Sequence, residues 1–94
     1  MIDLCHFGLP DHYGGFCEPA WVEGFGHYVD AFLARYPDPV WFTPVNEPGI
    51  TALFSARLGM WNDRRATEDD YFTALGNIVS ANLDALRRIR ADRD

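Results

Sequence analysis

The sequence predicts an α/β fold built as a βαβα unit. Two short apolar runs, residues 2–7 and 40–45, alternate with two segments whose apolar residues recur at three- and four-residue steps. A helical crossover between two strands that are apolar on both faces indicates that the strands are parallel neighbours. Such a unit leaves strand edges and one sheet face without partners, so we expect the 94 residues to belong to a larger fold.

The first strand is followed by a loop rich in glycine and aromatic residues. Gly8 and Pro10 end the strand, because both residues break regular structure. Residues 11–19 then carry Gly14 and Gly15 at their centre, which predicts an irregular connection. Loops of this length often carry function.

The first helix is predicted over residues 20–36 and ends at Pro37 and Pro39. Its expected buried face consists of Phe25, Tyr28, Val29, Phe32, Leu33 and Tyr36. The second strand contains Pro44, which cannot donate a ladder hydrogen bond and is awkward in a central strand. The aromatic and β-branched residues around it still favour a strand.

A short helix or a tight apolar loop is predicted over residues 50–60, and a long helix follows to the end of the chain. Thr67 and Asp70 have the spacing of a capping box at the start of that long helix. Its expected buried face consists of Phe72, Leu75, Val79, Leu83, Leu86 and Ile89.

Composition argues against several classes of partner. The formal charge of −6 disfavours nucleic acid, which calls for a basic face. No apolar run approaches the roughly 20 residues of a membrane span, and no secretory leader is evident, so we expect a cytoplasmic protein. Cys5 and Cys17 fit no metal spacing with the histidines, and we expect reduced, packed thiols. Trp41 and Trp61 are expected to be packing residues.

Polar residues follow both predicted strands at the point where each strand ends. His6 follows the first strand, and Asn46 and Glu47 follow the second. Because parallel neighbouring strands end at the same edge, the three side chains are candidates for one site. Each also has a simpler interpretation: His6 as a hydrogen-bonded core histidine, and Asn46-Glu47-Pro48 as a turn with a solvated carboxylate.

The order of these motifs resembles that of family 1 glycoside hydrolases, which include β-glucosidases, β-galactosidases and 6-phospho-β-glycosidases. Their third and fourth barrel strands carry H-W-x-L-P and N-E-P signatures, matched here by residues 6–10 and 46–48. The likeness runs from Asp3 to Trp61 and includes the Gly14-Gly15 turn. It implies that residues 1–94 are the third and fourth βα units of a TIM (β/α)8 barrel.

The resemblance also implies roles for the three polar residues. Glu47 corresponds to the general acid/base of a retaining β-glycosidase, Asn46 to the residue that binds the sugar 2-hydroxyl, and His6 to a ligand of another sugar hydroxyl. The substrate would be a small carbohydrate or β-glycoside, and no metal or cofactor is required. The family's nucleophile lies on the seventh strand, so we expect these residues to need the remainder of the barrel and to be inactive alone.

Three residues beside this site differ from the family pattern. Phe7 replaces the signature tryptophan, Gly8 replaces an acidic residue, and Pro44 occupies a position that is commonly threonine. These changes indicate a divergent branch. The alternative function is a noncatalytic one, either a carbohydrate-binding remnant or a split-barrel module that acts by association.

Overall fold

Two parallel strands and three α-helices make up the computed structural model, which describes all 94 residues. The elements are β1 (Ile2–Cys5), α1 (Ala20–Arg35), β2 (Phe42–Val45), α2 (Pro48–Ala52) and α3 (Glu68–Arg93). A short 3-10 turn (Asp11–Tyr13) lies in the loop after β1, and a π-helical turn (Leu53–Arg57) continues α2. The α/β class and the order of elements are as predicted.

The two strands pair in parallel, but the ladder is interrupted at proline. Ile2 pairs with Phe42 and Cys5 with Val45, whereas Pro44 has no partner in the register. Proline has no N–H to donate, which accounts for the gap. The Val45 N–H donates to Asn82 Oδ1 of α3 at 3.2 Å. A helix side chain therefore holds the last residue of β2.

The buried face of α1 is only partly the predicted one. Phe25, Val29 and Leu33 are buried as expected, whereas Tyr28 and Tyr36 are nearly half exposed. Trp21, which the periodicity missed, is the largest fully buried side chain. Its indole Nε1 donates to the Phe16 carbonyl at 3.0 Å, so the ring joins α1 to the preceding loop.

The buried face of α3 is only partly the predicted one. Ile89 is buried as expected, whereas Phe72, Val79 and Leu83 are exposed. The buried residues are Ala74, Ile78, Ala81, Ala85 and Ile89. α1 and α3 pack directly against each other, and Gly26 of α1 leaves room for the Arg88 guanidinium, because a Cβ there would lie 2.9 Å from its Nη2. Small side chains permit that approach, and the larger apolar residues are left on the adjoining face.

The start of α3 is capped as predicted, in part. Thr67 Oγ1 accepts the N–H of Asp70 at 3.0 Å, which satisfies one of the free donors of the first turn. The Asp70 carboxylate instead pairs with Arg65 at 3.3 Å. The N-cap is therefore confirmed, but the reciprocal half of the capping box is replaced by an ion pair.

Arg93 ties the end of α3 to the end of α1. Its guanidinium donates to the carbonyl oxygens of Pro39 at 2.8 Å, Tyr36 at 2.6 Å and Leu33 at 3.4 Å. The side chain is only 10% exposed. The planar guanidinium therefore satisfies carbonyl oxygens at the end of α1 and in the connection to β2.

Both cysteines are free and buried, which confirms the prediction of reduced, packed thiols. Burial raises the pKa of Cys5 to about 11. Burial, followed by a hydrogen bond with Asp63, raises the pKa of Cys17 to about 12. Both groups are therefore protonated and unreactive at neutral pH.

None of the helices combines the length and apolar character that crossing a bilayer requires.

Candidate functional site

His6, Asn46 and Glu47 follow the carboxyl ends of the two paired strands. The Asn46 N–H donates to the Cys5 carbonyl at 2.9 Å, so the strand pairing continues to the first residue after β2. His6 follows Cys5 directly. The structure thus brings the three predicted residues to one edge, although no hydrogen bond joins their side chains.

Glu47 has an unusual backbone conformation. Its φ of 40° and ψ of 68° lie in the left-handed region, immediately before α2. A residue with a side chain pays about 1 kcal/mol or more for this conformation. The carboxylate is exposed and accepts no hydrogen bond within the chain, whereas the Glu47 carbonyl accepts the Thr51 N–H at 2.9 Å. The turn presents the carboxylate to solvent beyond the strand end.

Asn46 is fixed through its backbone and leaves its side chain free. The buried hydroxyl of Thr51 donates to the Asn46 carbonyl at 3.1 Å. The side-chain amide is partly buried and has no hydrogen-bond partner in the chain. It can therefore both donate to and accept from a ligand.

His6 has a carboxylate partner that the sequence pattern did not reveal. Its Nδ1 lies 2.9 Å from Asp3 Oδ2, and both side chains are partly exposed. The Phe7 ring packs edge-on against the imidazole, with the ring centroids 4.6 Å apart. His6 is therefore a surface histidine, whose ring is oriented by Asp3 and Phe7, and not a core histidine.

A line of aromatic rings extends from His6. Phe7 contacts Trp61 edge-on at 5.8 Å, and Trp61 stacks on Phe54 at 4.8 Å. Trp61 is thus a packing residue, as predicted. Trp41 is 74% exposed, so its prediction as a packing residue is wrong within this chain. A shallow cavity of about 270 Å³ lies beside this line and is lined by Phe7, Gly8, Trp61 and Asn62.

Asn62 links the segments that follow the two strands, and the sequence did not single it out. Its Nδ2 donates at 2.9 Å both to the Phe7 carbonyl and to Ser55 Oγ. Ser55 is fully buried in the π-helical turn. One side chain therefore connects the His6 segment to the helix that begins after Glu47.

Asp63 holds the Gly-Gly loop and was also missed. Its two carboxylate oxygens accept the N–H groups of Phe16 and Cys17, each at 2.7 Å. Gly15 has a φ of 140°, and a Cβ there would lie 2.5 Å from Asp63 Cγ. The Gly15 position thus provides both the backbone conformation and the space that the carboxylate needs. No local motif signals this contact, because Asp63 lies 46 residues from Cys17 in sequence.

A second cavity, mostly apolar, lies elsewhere. It measures about 310 Å³ and lies between β1, the loop after it and α1, with Leu9, Tyr13, Trp21 and Phe25 among its lining residues. It contains none of the three predicted site residues. Its lining also includes His12 but is mostly apolar, and the strand ends remain the candidate site.

The site has only one free carboxylate. Asp3 is engaged by His6, and Asp63 is engaged by two backbone amides. Glu47 is therefore the carboxylate at these strand ends that has no hydrogen-bond or ion-pair partner. The arrangement offers groups that can bind hydroxyls and one carboxyl group that can transfer a proton.

Comparison with known proteins shows distant similarity to plant β-glucosidases. The chain is 27% identical over 82 aligned positions to a protein named probable inactive beta-glucosidase 14 from Oryza sativa subsp. japonica, and the alignment covers 82% of the chain. It is 35% identical over 65 aligned positions to beta-glucosidase 17 from Arabidopsis thaliana, and that alignment covers 63% of the chain. The chain spans only 16% and 12% of the lengths of these relatives. No family model and no solved structure matches it. The similarity supports a glycosidase-like origin for this stretch of sequence.

Proposed function

We propose that this chain forms the third and fourth βα units of a (β/α)8 barrel of glycoside hydrolase family 1, in which Glu47 is the general acid/base of a retaining β-glycosidase. The observation that carries the proposal is the parallel βαβα arrangement, which places His6 and Asn46-Glu47 together at the carboxyl ends of the two strands. Active sites of (β/α)8 barrels lie at the carboxyl ends of the barrel strands. The similarity to two plant proteins named as β-glucosidases supports the same origin.

Glu47 suits proton transfer at a glycosidic oxygen. A carboxylic acid protonates the leaving oxygen in the first step, and the resulting carboxylate then removes a proton from water in the second. The side chain is exposed at the strand end on a left-handed turn. Backbone strain of this kind concentrates at functional sites, which supports the assignment.

Asn46 and His6 suit the recognition of sugar hydroxyls. The amide of Asn46 has no partner in the chain and can bind the 2-hydroxyl, whose hydrogen bonds strengthen at the oxocarbenium-like transition state. His6 contributes a second hydrogen-bonding group beside it. Neither role requires a metal or a cofactor.

The nucleophile would come from the seventh strand, outside these residues, so hydrolysis would require the remainder of the barrel. Each strand has only one neighbour here. Other barrel units could cover the exposed apolar side chains, which are Trp41, Phe72, Val79 and Leu83.

We expect the isolated chain to self-associate, because apolar surface without a partner favours association. A compact monomer with a cooperative melt in sedimentation and thermal measurements would contradict this.

The test of the acid/base role uses the complete barrel protein that carries this sequence. Glu47→Ala is expected to abolish turnover of unactivated disaccharides, because their poor leaving groups need protonation. It should spare glycosylation by activated aryl glycosides, and azide should rescue the second step. Glu23→Ala, which removes an exposed glutamate of α1, is the control. Full activity of Glu47→Ala on disaccharides would refute the proposal.

A noncatalytic function is a second candidate, favoured by one observation. The rice relative that matches 82% of this chain is named as probably inactive. A carbohydrate-binding protein with the same site would bind β-glycosides through His6 and Asn46 without turning them over. Binding by the complete protein that survives Glu47→Ala, with no hydrolysis by the wild type, would favour this candidate.

A further inference from the structure

We propose that Asp3 is a positioning residue that holds His6 with its proton on Nδ1, so that Nε2 accepts a hydrogen bond from a ligand hydroxyl. The identity of the ligand rests on the function proposed above, because a β-glycoside is the source of such hydroxyls. The role of Asp3 itself rests on the contact between the two side chains.

The geometry assigns the proton. Asp3 Oδ2 lies 2.9 Å from His6 Nδ1, which is hydrogen-bond distance. An ionised carboxylate can only accept, so Nδ1 must donate. In a neutral imidazole the other nitrogen then carries a lone pair and is an acceptor.

The surroundings restrict the ring without covering it. Phe7 packs edge-on against the imidazole at 4.6 Å, and the Phe7 carbonyl is held by Asn62 at 2.9 Å. The His6 side chain remains 46% exposed, and Nε2 has no partner in the chain. A ligand can therefore reach the nitrogen that the Asp3 contact leaves as an acceptor.

This arrangement selects the chemical class of the ligand. A neutral imidazole with its free nitrogen as acceptor binds a group that donates, and every sugar hydroxyl can donate. Sulfate and carboxylate groups, which only accept, would meet no donor at Nε2 and would lie near the negative charge of Asp3. The subsite at His6 therefore favours a neutral, hydroxyl-bearing part of the ligand.

The tautomer is measured by ¹⁵N NMR of the complete barrel protein that carries this sequence, with labelled histidine, at about pH 8, where histidine is ordinarily neutral. We expect the His6 proton on Nδ1 in the wild type. Asp3→Ala should release it to a mixture of tautomers, and Asp3→Asn should largely restore Nδ1–H because the amide oxygen can still accept. His27, whose Nε2 lies 3.7 Å from Glu23, is an internal control that should not respond to either variant.

The ligand class is tested in the same spectra of the complete protein by adding methyl β-D-glucoside or sulfate, an anion that only accepts hydrogen bonds at this pH, at high millimolar concentration. We expect the glycoside, and not sulfate, to shift His6 Nε2. A shift caused by sulfate instead, or no shift with either compound, would overturn the hydroxyl assignment.

A wild-type tautomer that is mixed or protonated on Nε2, and unchanged in Asp3→Ala, would overturn the role of Asp3 whatever the enzyme's activity. The glycosidase proposal is decided separately, by turnover in Glu47→Ala, so the two can fail independently.

Discussion

Asp63 provides the sharpest test of how this chain is held together. Its carboxylate accepts two backbone N–H groups at 2.7 Å, one from fully buried Phe16 and one from buried Cys17. Hydrogen bonds to a charged group each contribute about 1.5–3 kcal/mol, and a donor left unsatisfied costs about 1–3 kcal/mol. Because Asp63 is partly exposed, water can replace part of the lost hydrogen bonding in the variant. We therefore expect Asp63→Ala to lower the free energy of unfolding by about 2–4 kcal/mol.

The free energy of unfolding in urea is measured for Asp63→Ala and for a control variant, Asp38→Ala. The control removes an exposed aspartate that has no hydrogen-bond partner in the structure. Asp63→Asn should recover only part of the loss, because one oxygen is replaced by a donor facing another donor. Gly15→Ala should act through the same contact, since its Cβ would displace the carboxylate. Its cost should therefore be smaller in the Asp63→Ala background than in the wild type. An Asp63→Ala variant within about 0.5 kcal/mol of Asp38→Ala would refute the reasoning.

Three further predictions follow from contacts described above. The folded-state pKa values of Cys5 and Cys17, about 11 and about 12, lie above the ordinary value of 9.0, so their contribution to stability is fully present below pH 9 and is lost as the pH rises towards 11–12. At pH 10 the loss should be about 1 kcal/mol per thiol, and replacing both cysteines with alanine should flatten the unfolding free energy between pH 8 and 10. Arg93→Ala should lower the free energy of unfolding in urea by about 2 kcal/mol, because three carbonyl oxygens lose their donor. Arg90→Ala, which removes an exposed arginine, should lower it by less than about 0.5 kcal/mol. Equal effects of the two substitutions would contradict the role given to the Arg93 guanidinium. Glu47→Gly should raise the free energy of unfolding by roughly 0.5–1 kcal/mol, because glycine adopts the left-handed backbone conformation of residue 47 without strain. Glu47→Ala should not raise it. Equal melting temperatures for the two variants would count against backbone strain at Glu47.

The sequence predicted the order of elements because each depends on local signals. Prolines end α1 and interrupt the ladder at Pro44, and Thr67 caps α3 through its own side chain. The placement of His6 and Glu47 at one edge also followed from local order, since parallel strands joined by a helix must end together. These features need no knowledge of which surfaces meet.

The faces of the helices were less predictable, because they depend on how closely elements pack. Apolar periodicity favoured the largest side chains of α3, yet Phe72 and Leu83 are exposed while Ala81 and Ala85 are fully or almost fully buried. A hydrophobic pattern cannot reveal that α1 approaches closely enough to require small residues. In the barrel proposed above, the same exposed residues would face neighbouring units.

The contacts that complete the site were beyond sequence reasoning for a different reason. Asp63 lies 47 residues from Phe16, and Asn62 lies 55 residues from Phe7. Nothing local marks either residue as a hydrogen-bond partner of a distant backbone. The Asp3–His6 contact spans only three residues, but strand alternation does not predict it, because it forms where the strand bends.

The two neighbouring amides just before Glu47 should report different motions in hydrogen exchange. The Asn46 N–H is held by β1 through the Cys5 carbonyl, so it exchanges when the strands separate. The Val45 N–H is held by Asn82 of α3, so it exchanges when that helix undocks, even if the strands stay paired. A difference in protection between adjacent residues would thus separate the opening of the sheet from the opening of the helix layer, one residue away from the proposed acid/base.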